Sequence, residues 1–480
     1  MKLNVLDNAL IINGEVFGLE LNYSKFSLFN KRAELYKNSK VSFMNTIFYQ
    51  FYIKKIYLLE ELTSSLKSKN LEISDLKSDN ILLMGVLKKN KAMINKNANY
   101  YLLCLLYILK KVLINFKLVV YILATIGFII FKKNHKEFLF DKKNVAFINC
   151  NASLNKVKRF FEFKKEEAFF LIDDKNITPE SFGVVNYLSF YNIFSKSNFI
   201  KLIPKFIYLT YKEFFKIKKE VNIEFNQYCS IEILNYSVPR IFQTVYIEHA
   251  LSSWTSKNKE NIETIYSGVR DERFSIIQQN IASKFEIDSI CIPHGLAYSI
   301  NYPKGIFGNT FYTSSKNEKK VLESNISHKN QRFVYDKKII RYLYSVNFIS
   351  NKESKIVFFT DARNVELDNQ IIQFLLDTFN NVKVKLHPID LISNYPMLKK
   401  KDLIQDFRDA ISNNIVVSRN STVLLEAVYN NSKSLSVLLS KSDIFNSDFL
   451  YPSLSHEEIY KIYSMEQLKK TIKNVYEEKY

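Results

Sequence analysis

From residue 144 onward, short apolar runs end in polar or turn-forming residues and give way to helical periodicity. Asn144–Asn149 is one such run, and Ala168–Ile172, closed by Asp173-Asp174, is another. Glu263–Tyr266 leads through Ser267-Gly268 into a helical pattern over Asp271–Phe285. Ser289–Ile292 then ends at Pro293-His294-Gly295. The pattern restarts at Lys355–Phe359, which runs into Thr360-Asp361-Ala362-Arg363 and a helical Asp368–Phe379. Val382–Leu386 ends at His387-Pro388, and Asn414–Val417 at Ser418–Thr422. A helical Val423–Tyr429 and a further strand, Ser434–Leu439, follow. Short apolar strands alternating with helices build βαβ units on parallel sheets. The expected class is α/β, with two Rossmann-like domains facing a cleft. They cover 141–340 and 341–480, with the boundary in the polar stretch 330–352. A chain of 480 residues has room for two or three domains at ~100–200 residues each.

Residues 1–99 are Lys/Asn-rich and read as a mainly helical region, as in Ser42–Lys67. Residues 100–140 are an apolar segment with a basic exit. Its run Leu118–Phe131 is uninterrupted, with Lys117 before it and Lys132 and Lys133 after it. That run is shorter than the ~20 residues a spanning helix needs. Lys110 and Lys111 divide it from the apolar stretch Tyr100–Leu109. A membrane-surface or re-entrant helix, a buried core helix and a true span are all open here. Lysine stems can lie in an apolar layer while their heads reach phosphate headgroups. The sequence therefore expects an anionic membrane surface as a partner.

Charge narrows the classes further. Lys and Arg number 68 against 48 Asp and Glu, a formal charge of +20, which favours polyanionic partners. The lysines are dispersed, and no nucleic-acid recognition motif accompanies them, so nucleic acid is not an expected partner. Part of the Lys, Asn, Ile and Phe excess is the signature of an AT-rich genome. Cys104, Cys150, Cys229 and Cys291 are scattered, with no C-x-x-C pair. Neither a thiolate zinc site nor a disulfide framework is expected. P-loop and dinucleotide fingerprints are missing, and neither a metal nor a cofactor is called for. The N-terminus lacks a signal peptide's apolar core. The expected location is cytoplasmic, peripheral to the inner face of the cell membrane.

In open α/β sheets, ligands bind beyond the carboxyl ends of the strands. Those ends here carry His294-Gly295, Arg363, His387-Pro388 and Ser418-Arg419-Asn420-Ser421-Thr422. Ser421 and Thr422 open a helix, where hydroxyls and unpaired N–H groups suit an anion; the same residues are ordinary N-caps. Glu426 lies four residues past Thr422, on the same helical face. His387, locked by Pro388, is placed to contact a diphosphate or act as an acid. Gly295 lets backbone approach a ligand closely, or simply makes a tight turn. Arg270 follows Gly268 and suits an acceptor or a phosphate; a solvated helix start explains it too. Glu248-His249, ahead of the single Trp254, lines a cleft or packs within a helix.

PHG in the first domain, with KLHP and SRNSTVLLEA in the second, resembles bacterial surface-polysaccharide transferases of the GT-B fold. The HP and Ser/Thr motifs are similar to those of sialyl-, polysialyl- and capsule Kdo transferases. The HG motif is similar to that of the polyol-phosphate transferases of teichoic acid and capsule polymers. The resemblance covers roughly 260–440. It implies that His387 contacts the donor phosphate and assists nucleotide departure, and that Ser421 and Thr422 hold phosphate oxygens. It also implies that Glu426 binds the ribose and that His294 is the acceptor-side base. Arg363, Pro388 and Ser418 fall on the donor side, Gly295 and Arg270 on the acceptor side. No acidic D/E-D/E-G motif of the sialyltransferases is present, because Lys175 follows Asp173-Asp174.

The expected function is metal-independent transfer of a sugar from a nucleotide-sugar donor to a capsule, lipopolysaccharide or similar glycan or glycolipid. A CMP-sugar is favoured, with CDP or UDP as alternatives. A CDP-polyol phosphotransferase, a sugar-nucleotide epimerase, and a non-catalytic basic membrane-surface or nucleic-acid-binding protein are the competing readings.

Overall fold

The computed structural model describes residues 2–6, 9–12, 15–18, 72–73, 75–77, 81–89, 93–94, 96, 98–132, 142–175, 177–184, 187–268, 273–292, 295, 308–325, 331–346, 354–361, 364–440, 443–444 and 446–477. The chain forms two compact units. One comprises Met1–His294, Asn301–Phe311 and His328–Arg332, the other Gly295–Ile300, Tyr312–Ser327 and Phe333–Tyr480.

The first unit begins with β1 (Lys2–Leu6), β2 (Ala9–Ile12) and β3 (Glu15–Gly18), joined by β5 (Asp75–Lys77) in the order β3-β2-β1-β5. β4 (Glu72–Ile73) pairs with β6 (Met93–Ile94). Sequence alone read residues 1–99 as mainly helical, and these strands lie among the described residues of that region. The signal was present, because Ile12 pairs with Glu15 across the sequence Asn13-Gly14, a strong two-residue hairpin signature. The stretch 42–67 lies outside the described residues.

Helices α1 (Ile81–Lys89) and α2 (Ala98–Phe131) follow. Helix α2 buries Leu103, Ile114, Leu118, Ile122 and Ile129. Lys110 bonds Glu232, Lys117 bonds Asn235 Oδ1 at 2.8 Å, and Lys132 pairs with Asp174. These lysines therefore face the protein rather than headgroups. The opposite face is left apolar and exposed, with Val112 69%, Phe116 66% and Leu123 61% accessible. A core helix would bury its most apolar window, and here only 28% of that window is buried.

A seven-stranded sheet comprises β7 (Asn144–Ile148), β8 (Phe169–Ile172), β9 (Tyr187–Ser189), β10 (Thr264–Ser267), β11 (Asp288–Cys291), β12 (Thr310–Tyr312) and β13 (Arg332–Val334). Its order is β13-β12-β11-β10-β7-β8-β9. Pairing from β12 through to β9 is parallel. Chain order therefore reverses between β7 and β10, as in a Rossmann sheet. Helix α3 (Asn151–Lys164) starts beside that switch. Gly268 sits so close to it that a Cβ would lie 2.4 Å from Ser153 Cβ. Two long helices, α4 (Lys196–Glu224) and α5 (Gln227–Asn258), are N-capped by Ser195 and Asn226. Helix α6 (Arg273–Phe285) connects β10 to β11.

The second unit holds α7 (Lys316–Asn325) and α8 (Lys337–Tyr344). Sequence alone put both segments, up to residue 340, in the first domain. Buried hydrogen bonds explain the difference. Glu318 accepts from Ser314 N at 2.8 Å and Ser453 Oγ at 2.9 Å, and Asn317 donates to Pro452 O at 2.9 Å. The sheet runs β15-β14-β16-β17-β18, all parallel. Its strands are β14 (Ile356–Phe359), β15 (Val382–Lys385), β16 (Ile415–Ser418), β17 (Lys433–Val437) and β18 (Ile459–Ile462). Its helices are α9 (Val365–Thr378), α10 (Phe407–Ile411), α11 (Thr422–Val428) and α12 (Met465–Glu477). Successive strand residues face opposite sides. Ile356, Phe358, Ile415 and Val417 pack with Ile371 and Leu375 of α9 and Ile472 of α12. Val357, Phe359 and Val416 pack with Ile411 of α10 and with Val423 and Ala427 of α11. Helices thus cover both faces, which confirms the α/β class. Chain order is 2-1-3-4-5, with the switch between β14 and β16.

Candidate functional site

The switch of the second unit brings three strand ends together: Thr360-Asp361 after β14, His387 after β15, and Arg419–Thr422 after β16. The HP and Ser/Thr motifs, 34 residues apart by number from His387 to Ser421, so flank the same central strand.

His387 is exposed, and its backbone is held from below. Its N–H donates to Thr360 Oγ1 at 2.8 Å, and its carbonyl accepts from Asp390 N at 2.8 Å. Thr360, 3% accessible, donates its own hydroxyl proton to Asp390 Oδ2. Buried Tyr395 donates to the same oxygen at 2.9 Å. Burial, with the charge of Asp368, pushes the Tyr395 hydroxyl up, so it remains a donor. Ile389 N lies 3.4 Å from His387 Nδ1. Nδ1 is then the acceptor, which puts the ring proton on Nε2. Pro388 is exposed beside it. Thr360, Asp390 and Tyr395 are positioning residues that sequence reasoning missed; Asp390, three residues past His387, was the available signal.

Ser421 is the N-cap of α11, accepting from Val423 N at 3.4 Å. Thr422 and Glu426 are half-buried on that short helix. Gly295 belongs to the second unit, and a Cβ on it would lie 4.0 Å from Thr422 Oγ1. The HG glycine and the Ser/Thr motif are therefore neighbours. Ser418 is placed otherwise than expected. It is fully buried, and its hydroxyl donates to Phe359 O at 3.1 Å, so it ties β16 to β14 instead of facing a ligand. His294, Arg270 and Arg363 lie outside the described residues.

Beneath the switch lies a charge cluster that the sequence did not disclose. Arg419, 4% accessible, grips Asp443 with Nε at 3.2 Å and Nη2 at 2.7 Å. Its Nη1 reaches Asp368 at 3.4 Å and Asp361 at 3.9 Å. Asp368 also accepts from Asp361 N at 2.9 Å. Burial drives the Asp368 carboxyl up to about 6, against the pull of the Asp361 N–H and Arg419. Burial alone would lower the Arg419 guanidinium, but Asp443 and the other two carboxylates push it up. This cluster fixes the loop after β16. Lys383 and Lys385 likewise hold backbone, donating to Lys401 O at 2.8 Å and Gln405 O at 2.6 Å.

In the first unit, Asp173 is fully buried and accepts from Tyr191 OH at 3.0 Å. Asp174 takes Ser189 Oγ at 2.6 Å and pairs with Lys132. Both carboxylates are thus held by side chains of the first unit. Trp254 stacks on Phe169 at 5.8 Å. No cluster of His, Cys, Asp and Glu fit to hold a metal occurs among the described residues.

Among solved structures, the chain is similar to the UDP-GlcNAc 2-epimerase from Neisseria meningitidis bound to UDP-GlcNAc. Identity is 10% over 70% of this chain and 91% of that one, with a TM-score of 0.42. It is similar to the lipopolysaccharide outer core galactosyltransferase WaaB, in its apo form, at 10% identity over 69% and 90%, with a TM-score of 0.36. It is also similar to the wall teichoic acid polymerase TagF at 11% identity over 79% and 89%, with a TM-score of 0.35. No family model and no curated protein matches the sequence. Likeness this distant leaves function to the residues themselves.

Proposed function

We propose that the chain is a glycosyltransferase of the GT-B type that moves a sugar from a nucleotide-activated donor to a surface-glycan acceptor. One observation carries this reading. The HP and Ser/Thr motifs, which resemble those of surface-polysaccharide transferases, converge at the switch point of a doubly wound sheet. His387 Nε2–H donates to the donor phosphate and stabilises the departing nucleotide. Ser421 and Thr422 hydroxyls hold its oxygens, and Glu426 takes the ribose. Preorganised donors aimed at developing negative charge are the main source of catalysis in such a site. A CMP-sugar is the favoured donor. His294 is the proposed acceptor base. The exposed apolar face of α2 rests in the inner face of the cell membrane, where the acceptor glycolipid is anchored. The proximity of Gly295 to Thr422 favours a second reading, transfer of a polyol phosphate from a CDP-activated donor, because the HG glycine then joins the same site.

The test is a panel of CMP-, CDP-, UDP- and GDP-sugars incubated with the full chain, read as nucleotide release. One nucleotide class should be turned over, slowly without acceptor. The reading fails if no member is bound or hydrolysed.

A further inference from the structure

The first unit contains a pocket of about 530 Å³ between α4, α5 and α6. Helical spacing aims Lys212, Glu213 and Lys216 of α4 at it, with Glu248 and His249 of α5 and Lys284 of α6. Ile241 and Ile281, both buried, form an apolar floor. A volume of this size suits a small organic ligand.

The polar groups are of two kinds. Lys212 and Lys216 form no ion pair within 4 Å among the described residues; Lys284 donates to Ser252 Oγ at 3.0 Å and lies over the Phe285 ring at 4.9 Å. Lys205 lies 3.3 Å from His249 Nε2. As an ammonium it donates, so Nε2 accepts and the proton sits on Nδ1. Burial, with Lys205 and Lys284, pushes the His249 imidazole down, and the rings of Phe194 and Phe206 enclose it at 6.0 and 5.4 Å. The rim is therefore positive. Glu213 and Glu248 stand within it, and their carboxylates make no hydrogen bond with any described residue. Burial pushes the Glu213 carboxyl up, against the attraction of Lys216.

We infer that this pocket binds a sugar or polyol carrying an oxyanion, either phosphate or carboxylate. The lysines take the oxyanion through charge-assisted bonds. The two carboxylates accept hydroxyl donors and disfavour a bare anion. The C–H face of the ring lies on Ile241 and Ile281. This inference goes beyond the proposed transfer reaction and stands whether or not the chain transfers sugar.

Calorimetric titration of the full chain with glucose 6-phosphate, glucuronate, glucose and inorganic phosphate tests it. At least one acidic sugar should bind saturably, and which one does assigns the oxyanion. Glucose and phosphate should each bind about tenfold or more weakly. The Lys212→Gln/Lys216→Gln variant should weaken the acidic sugar by about tenfold or more. Glu213→Gln should weaken the sugar but not phosphate, and His387→Ala should change neither, which separates this pocket from the strand-end site. Thermal melting close to wild type shows that these surface variants fold. The inference is overturned if neither acidic sugar saturates, if phosphate binds as tightly as the sugar, or if both pocket variants retain wild-type affinity.

Discussion

Asp368→Asn tests the buried cluster beneath the switch point. Asp361, Asp368 and Asp443 surround a single Arg419, three negative charges against one positive. Asp443 holds the guanidinium in two-point contact, while Asp368 reaches it only at 3.4 Å. The attraction therefore falls short of the cost of burying Asp368, whose carboxyl rises from 3.8 to about 6. At about 1.4 kcal/mol per pH unit, ionising it in the folded state costs about 3 kcal/mol. The sign follows from linkage. Between pH 4 and pH 6 the folded chain binds more protons than the unfolded chain, so this group lowers stability as pH rises through that window. Above it the full penalty persists. Asn keeps the carbonyl that accepts from Asp361 N–H and removes the charge. The variant should be more stable than wild type at pH 8 by about 1–3 kcal/mol, less than the full penalty because the contact with Arg419 weakens. At pH 4 the difference should vanish. Urea unfolding at both pH values measures it. Greater destabilisation at pH 8 than at pH 4 would refute the reasoning, because it would show that the contact of ionised Asp368 with Arg419 outweighs desolvation; equal destabilisation at both would refute it too, because the effect would then not depend on the charge.

Gly268→Ala should destabilise the first unit by about 1–3 kcal/mol, since its Cβ would meet Ser153 Cβ at 2.4 Å; Ser153→Gly in the same chain should restore part of the loss in a melting experiment. Thr360→Val removes an acceptor for His387 N–H and a donor to Asp390. It should cost about 2–4 kcal/mol and loosen the His387 loop, read as faster amide exchange at His387. Replacing Val112, Phe116 and Leu123 with Gln should weaken binding to anionic vesicles more than tenfold, because each apolar side chain contributes roughly 1.5–3 kcal/mol when buried. Unchanged flotation would show that the exposed face of α2 does not meet lipid.

Much of this architecture is legible in the sequence. The runs before Asp173, Gly268, Thr360, His387 and Ser418 all form strands, within a residue or two of their expected ends. Three of them, β8, β14 and β16, are short parallel strands buried along their whole length, and continuous apolarity marks those well; edge strand β15 shows instead as an alternation, Val382 and Val384 buried between lysines. Strands β12 and β13, of three residues each, are too short to carry a pattern. Helices α4 and α5 are obscured by internal Pro204 and Pro239, which read as breaks. The sequence motifs put His387 and Ser421 at strand ends, and the structure has both beside the switch of the second unit. Side-chain placement was not legible where the decisive fact is a long-range bond. Nothing local to Ser418 says that its hydroxyl faces Phe359 O, and nothing local to Arg419 says that Asp443 and Asp368 enclose it. The lysines of α2 show the same limit. Their spacing allowed headgroup contact, but Glu232, Asn235 and Asp174 lie far along the chain and claim Lys110, Lys117 and Lys132.

The central claim is that the strand ends of the second unit hold a donor nucleotide through His387. Calorimetric titration of CMP, CDP, UDP and GDP into wild type and His387→Ala addresses it most directly. His387 is exposed and its backbone bonds survive the substitution, so the fold should persist with an unchanged melting temperature. At least one nucleotide should bind wild type, and loss of a hydrogen bond to a charged phosphate should weaken it about tenfold or more. Equal affinity in the two proteins, or no nucleotide binding to either, would contradict the account.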